Sequence, residues 1–314
     1  MSRATPGGRL GNGELRDFLR TRRARLSPGE AGLPSVPGIR RVPGLRREEV
    51  ARLAGVSADY YVRLERGRHL NVSDSVLDAV ARALRLDAVE RTHLYALARP
   101  HPHAHRDSQR MPPQRLQPSL RLMLDRLEDV PAMILGRRLD VLAVNRPARL
   151  LFADFDARPV RDRNMVRYLF LDPEAKTRLI DWEKTARATV ASLHLYTGRH
   201  RADPALPGLV GELSLHSDDF RRWWARHELT ACLHGSTRFR HPLVGTITLS
   251  NEIFTPADDP DLHLHLLTAA PGGADRQALD LLASWTAEPA PHTSDRHTPD
   301  RVRGPVDTAE WDDR

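Results

Sequence analysis

The 314 residues, 40% of them hydrophobic, suffice for two ordinary domains, each with its own core. A single cysteine, Cys232, excludes an intramolecular disulfide and a thiolate zinc cage, which fits a reducing compartment. The net charge of +7 is concentrated near the start: residues 1–100 hold 19 basic and 11 acidic groups, the remainder 29 and 30, so the first third points to a polyanionic partner.

Residues 1–12 are rich in Gly, Pro and Arg without apolar periodicity, and predict a flexible basic arm. They lack the apolar stretch of a signal peptide, and no run reaches the ~18 apolar residues of a membrane span. The expectation is a soluble, cytoplasmic protein. Leu15, Phe18, Leu19 and Leu26 then predict an amphipathic helix over 13–26. Pro28, Pro34, Pro37 and Pro43 break the chain into an extended loop, because each removes a backbone donor and biases its predecessor away from helical angles. Four short helices follow at 45–54, 57–66, 73–86 and 88–98, with Ser73 and Asp87 as caps of the last two. An all-helical domain thus spans 13–99.

Residues 100–118 read as a polar, proline-broken linker. Beyond it, β-rich runs at 133–135, 139–144, 244–249 and 262–268 flank helical stretches at 176–196, 208–215 and 218–226, which predicts an α+β domain over 119–287. Residues 288–314 lose apolar spacing and predict a disordered tail.

The most specific signal is LRREEVARLAGVSADYYVRLERG, 45–67. Ala51 is small where two helices cross, Gly55 permits a positive-φ turn, Val56 plugs the space beneath it and Ser57 caps the next helix. Tyr61 and Leu64 face inward with Val50 and Leu53, which leaves Ala58, Asp59, Tyr60 and Arg63 outward, a surface suited to the major groove. The competing reading is a plain αα-hairpin with a solvated charged face.

This segment resembles the helix-turn-helix of the Cro and phage-repressor superfamily, also called the XRE family. The proline loop before it, with SDSVLDAVARALRLDAVERTHLYALA after it, is similar to MmyB-like transcriptional regulators. Their second half is a PAS-like ligand-binding domain, and DVLAVN, NMVRYLFLDP, DWEKTARATVASL, GELSLHSDDFRRWWARHEL and HPLVGTITL resemble its motifs. The resemblance covers 13–270, with Val144 standing where the family commonly has an aromatic. It implies that Ala58, Asp59 and Arg63 reach base edges, that Ser57 and Tyr60 lie close to the groove, and that Arg47 contacts phosphate. Arg63 can bond guanine O6 and N7 bidentately, whereas Asp59 either accepts from cytosine or orients Arg63. Arg66, Arg68, Arg40 and Arg41 would add sequence-independent phosphate contacts.

In the second domain, Asn145, Asn164, Arg167 and His241 stand beside apolar runs and are the candidate polar groups for a small-molecule effector. Each also has a structural reading as a cap, a helix-end partner or a turn former. Trp182, Phe170, Trp223 and Trp224 read as core, with a second role as cavity wall. His101, His103 and His105 alternate in the linker without a carboxylate or cysteine to complete a metal set, and His263 and His265 share one face of a strand. No metal or cofactor site is read, and no catalytic motif appears. Three readings follow: a sequence-specific regulator of double-stranded operator DNA whose second domain senses an effector, the same regulator with a second domain that only dimerises or docks proteins, and, remotely, a DNA-tethered enzyme. A homodimer without membrane attachment is expected in the first two.

Overall fold

Apolar residues at helical spacing in the first hundred positions close five helices around one core. The computed structural model describes residues 7–34, 44–67, 72–99, 114–229 and 234–285. The expected tail at 288–314, the linker histidines, Cys232, Arg40, Arg41 and Arg68 lie outside the described residues. Helix α1, Gly7–Arg25, buries Leu15, Phe18 and Leu19 along one stripe. It reaches back into the segment expected as an arm, because a helix anchored by packing extends at one hydrogen bond per residue. Residues 1–6 lie outside the described residues.

Helices α2 (Arg47–Leu53), α3 (Ala58–Glu65), α4 (Asp74–Ala83) and α5 (Ala88–Ala98) complete the domain. Val50, Tyr61, Leu64, Leu77, Val80 and Leu94 are fully buried in its core. Asp87 caps α5 as expected, accepting from the Glu90 amide at 2.8 Å, whereas the Ser73 hydroxyl bonds that of Ser75 instead of capping α4. Leu53, expected inward, is 37% exposed. The inward stripe of α2 runs through Val50, Ala51 and Ala54, and Leu53 lies roughly 100° around the helix from its centre.

The second domain opens with α6 (Pro118–Asp125) and the strands β1 (Ala132–Leu135) and β2 (Val141–Val144). Six helices follow: α7 (Arg146–Leu151), α8 (Met165–Leu171), α9 (Pro173–Arg178), α10 (Trp182–Arg199), α11 (Leu206–His216) and α12 (Asp218–Trp224). Then come β3 (His234–His241), β4 (Gly245–Phe254), β5 (His263–Thr268) and α13 (Ala274–Trp285). The five strands form one antiparallel sheet in the order β2-β1-β5-β4-β3. Alternation along β1 divides its burial: Met133 and Leu135 face the main core under the helices, and Ala132 and Ile134 face a smaller core under α6. The result is the expected α+β domain.

The helix expected over 176–196 is two helices. Between α9 and α10, Leu179 bridges Phe239 and the Ile180 amide donates to the Arg238 carbonyl at 2.9 Å, so the edge of β3 captures the backbone that would have continued the helix.

The two domains meet along α10. Leu195 of α10 and Leu229, after α12, pack into the core of the first domain. The Arg22 guanidinium pairs with Glu90 (Nε to Oε1, 2.9 Å) and donates to the His227 carbonyl at 2.6 Å. Arg201 donates to the Leu97 carbonyl at 2.9 Å, satisfying an acceptor in the last turn of α5. Gly198 of α10 faces His93 of α5 so closely that a Cβ there would lie 2.7 Å from the ring Nδ1.

Because His93 is itself buried, Gly198→Ala cannot be accommodated by a swing of the ring, and should lower stability by about 1–3 kcal/mol despite alanine's better helix propensity. Urea unfolding of the single variants and of the His93→Ala, Gly198→Ala pair checks this: the pair should cost less than the sum of its parts.

Candidate nucleic-acid interface and interior cavity

The turn between α2 and α3 is built as its residues dictate. Gly55 takes φ of +67°, a conformation that costs any residue with a Cβ, and the Val56 amide closes the turn on the Ala51 carbonyl at 3.0 Å. Ser57 then caps α3 by accepting from the Tyr60 amide at 3.1 Å. Tyr61 and Leu64 are fully buried, whereas Ser57, Ala58, Asp59, Arg63 and Arg66 are exposed and Tyr60 is half-buried. Asp59 and Arg63 form no ion pair with one another among the described residues, so Arg63 is not tethered by that carboxylate.

Arg47 differs from the others. The carboxylate of Glu65, 1% exposed, holds Arg47 (Nε to Oε2, 3.0 Å) and Arg23 (3.3 Å), while Arg23 also donates to the Leu45 carbonyl at 2.6 Å. Glu65 therefore ties α1, α2 and α3 together, and Arg47 reaches the surface already anchored at its guanidinium.

In the second domain, a cavity of about 140 Å³ lies between the sheet and α10. Met133, Leu135, Ile253 and Leu267 from the strands, Leu139, and Phe152 and Met165 from the helical side give it an apolar body. Lys184, Thr185, Thr189 and Ser192 of α10, with Ser236, Thr237, Asn251 and His265 of the sheet, supply polar groups. Of the histidine pair on β5, His265 lines the cavity and His263 accepts or donates a hydrogen bond with the Thr255 hydroxyl at 2.9 Å.

None of Asn145, Asn164, Arg167 and His241 lines this cavity. Asn145 caps α7 through the Ala148 amide, accepts from the Ala132 amide and donates to the Leu127 and Val130 carbonyls, so its side chain is consumed in joining β1 to α7. Asn164 caps α8 and donates to the Arg138 carbonyl and to Asp140. Arg167 pairs with Glu212 at 2.6 Å and holds that carboxyl below its ordinary range, and His241 accepts from the Leu243 amide within its turn. Phe170, Trp182 and Trp223 pack edge-on or tilted against one another at 5.6–5.9 Å as core, and Trp224 lines a cavity at the junction of the domains. The α10 hydroxyls carried a readable signal, since Thr185, Thr189 and Ser192 recur at helical spacing beside Ala188. His265 had only its strand alternation.

The chain matches a helix-turn-helix domain model over residues 14–94 and the model of the MmyB-like transcription regulator ligand binding domain over residues 116–282. The fold and the exposed face of α3 thus belong to a DNA-binding transcription regulator joined to a ligand-sensing domain. The chain is a member of the MmyB-like transcription regulator family, whose ligand-binding model covers more than half of it. No curated protein matches this sequence. No helix among the described residues is long and apolar enough to cross a membrane.

Burial among the cavity walls pushes the His265 imidazole down to about 4 from its ordinary 6.5, with the nearby His263 adding to the effect. The folded protein thus holds this ring neutral while the unfolded chain protonates it, so the contribution is complete above pH about 6.5 and is lost as the pH falls toward 4. His265→Gln should flatten that part of the acid loss, as measured by urea unfolding of both proteins across that range.

Proposed function

We propose that the chain is a one-component, sequence-specific regulator in which an effector bound in the second domain changes the DNA affinity of the first. The observation that carries this reading is the double duty of α10. Its residues Lys184 to Ser192 line the cavity, and its residues His194 to Gly198, on a face turned roughly 100° around the helix, pack on the DNA-binding domain. A molecule that favours one position of α10 thereby favours one docking of the DNA-binding domain, with leverage limited to its differential affinity for the two arrangements. The apolar walls and the hydroxyls on one side suit a largely apolar small molecule with a polar end.

On the DNA side, Ala58, Asp59 and Arg63 address base edges, Ser57 and Tyr60 flank them, and Arg47, Arg66 and Arg68 engage phosphates. One such helix covers only a few base pairs, so the regulator acts as a homodimer on half-sites about 34 Å apart. No catalytic step is required.

Arg63→Ala should cost about 1–3 kcal/mol at the preferred site and relax selection at one base position. Arg66→Ala should weaken all sequences alike and reduce the salt slope by about 1. Binding-site selection followed by salt titration of both variants distinguishes them, and an unchanged selected motif for Arg63→Ala overturns the orientation of α3. For the effector, native mass spectrometry of the purified full chain should reveal a bound small molecule that Ala188→Trp, which fills the cavity, displaces.

A further inference from the structure

The junction of the domains gathers two buried imidazoles and a carboxylate far apart in sequence. His194 of α10 is fully buried, His227 lies just past α12, and Glu14 reaches them from α1 of the other domain. Glu14 Oε2 is 3.2 Å from His227 Nε2 and 4.0 Å from His194 Nδ1, and one donor atom from each residue lies within 4.8 Å of the other two. His194 Nδ1 is buried without a hydrogen-bond partner, a state that a native interior keeps only for a reason.

We propose that Glu14, His194 and His227 bind a divalent transition metal ion of the zinc class at the domain junction. The ligand chemistry fits: two imidazole nitrogens and one carboxylate oxygen are a common three-ligand set for zinc with one open position. Ligand atoms of a tetrahedral zinc site stand about 3.4 Å apart, a value between the two Glu14 separations. The tautomers are prepared as well. His194 Nε2 lies 3.1 Å from the Trp224 carbonyl and donates to it, which leaves the lone pair on the unpartnered Nδ1. His227 Nδ1 stands 3.5 Å from the Ala225 carbonyl, on the side away from Glu14.

His227 adopts φ of +50°, a left-handed conformation in which glycine usually follows a helix, and its carbonyl is clamped there by Arg22. The Arg22 charge is met by Glu90, and so does not stand uncompensated beside the ion. On its Glu14 side the site borders a cavity of about 250 Å³, lined also by Thr197, Arg201 and Trp224. The ion ties α1 of the first domain to α10 and to the turn after α12 of the second, in a place distinct from the cavity between the sheet and α10.

The test uses the full chain, purified without a polyhistidine tag, stripped with chelator and titrated with Co²⁺. One equivalent should produce visible d–d absorption bands of a four-coordinate ion, and Zn²⁺ should abolish them by displacement. Glu14→Gln, which keeps shape and removes the anionic ligand, and His194→Gln should each weaken Co²⁺ binding by more than about 100-fold. If His194→Gln does not fold by circular dichroism, Glu14→Gln decides the matter. Replacing His101, His103 and His105 with Asn should leave the bands unchanged. Absence of bands, bands that survive Glu14→Gln, or bands lost only on replacing the three linker histidines overturn the proposal.

Discussion

A rigid helix that must pack on both sides at once is the constraint from which the rest of this molecule follows. Helix α10 can shift against the cavity only by shifting against the first domain, because its C-terminal half is wedged by Gly198 on His93 and by Leu195 in the other domain's core. The polar groups around that wedge raise the stakes. Arg22 is a buried charge whose desolvation is offset by Glu90 and by the His227 carbonyl across the junction, so small misdockings leave it undercompensated. Interdomain contacts of this kind favour a few discrete arrangements over a continuum.

The domain junction and the exposed face of α3 lie on different sides of the first domain. The junction is made by α1 and α5, through Glu14, Arg22, Glu90, His93 and Leu97, whereas Ala58, Asp59 and Arg63 of α3 remain exposed. Glu65 links the two sides, since its carboxylate joins Arg23 of α1 to Arg47 at the start of α2. A displacement of α1 is therefore transmitted to the α2–α3 pair through one buried acidic side chain.

Much of this was legible from residue types because local chemistry decided it. The helix-turn-helix follows from Ala51, Gly55, Val56 and Ser57, each of which does in the fold what its size or capacity for hydrogen bonding demands. Four strands announced themselves through β-branched and apolar runs. The strand β3 did not: His234, Arg238 and Arg240 make it polar, and it is a strand only because β4 pairs with all of it. The break at Leu179 was likewise invisible, being imposed by that same strand. Asn145 and Asn164 stood out as polar groups beside apolar runs, but backbone groups and, for Asn164, the Asp140 carboxylate satisfy them, a fact set by tertiary partners up to 26 residues away. The set of Glu14, His194 and His227 has no local signature at all, since it is assembled only when two domains meet.

Both margins of the sheet are interrupted by backbone from elsewhere in the chain. At the free side of β2, the Val141 amide is taken by the Arg163 carbonyl at 2.7 Å and Asp140 bridges Asn164; at the free side of β3, Leu179 and Ile180 occupy Phe239 and Arg238. Arginines and histidines along β3 discourage further strand addition. Strand addition at either margin would have to displace these bonds first, so the sheet offers no continuous template along which a further strand could grow.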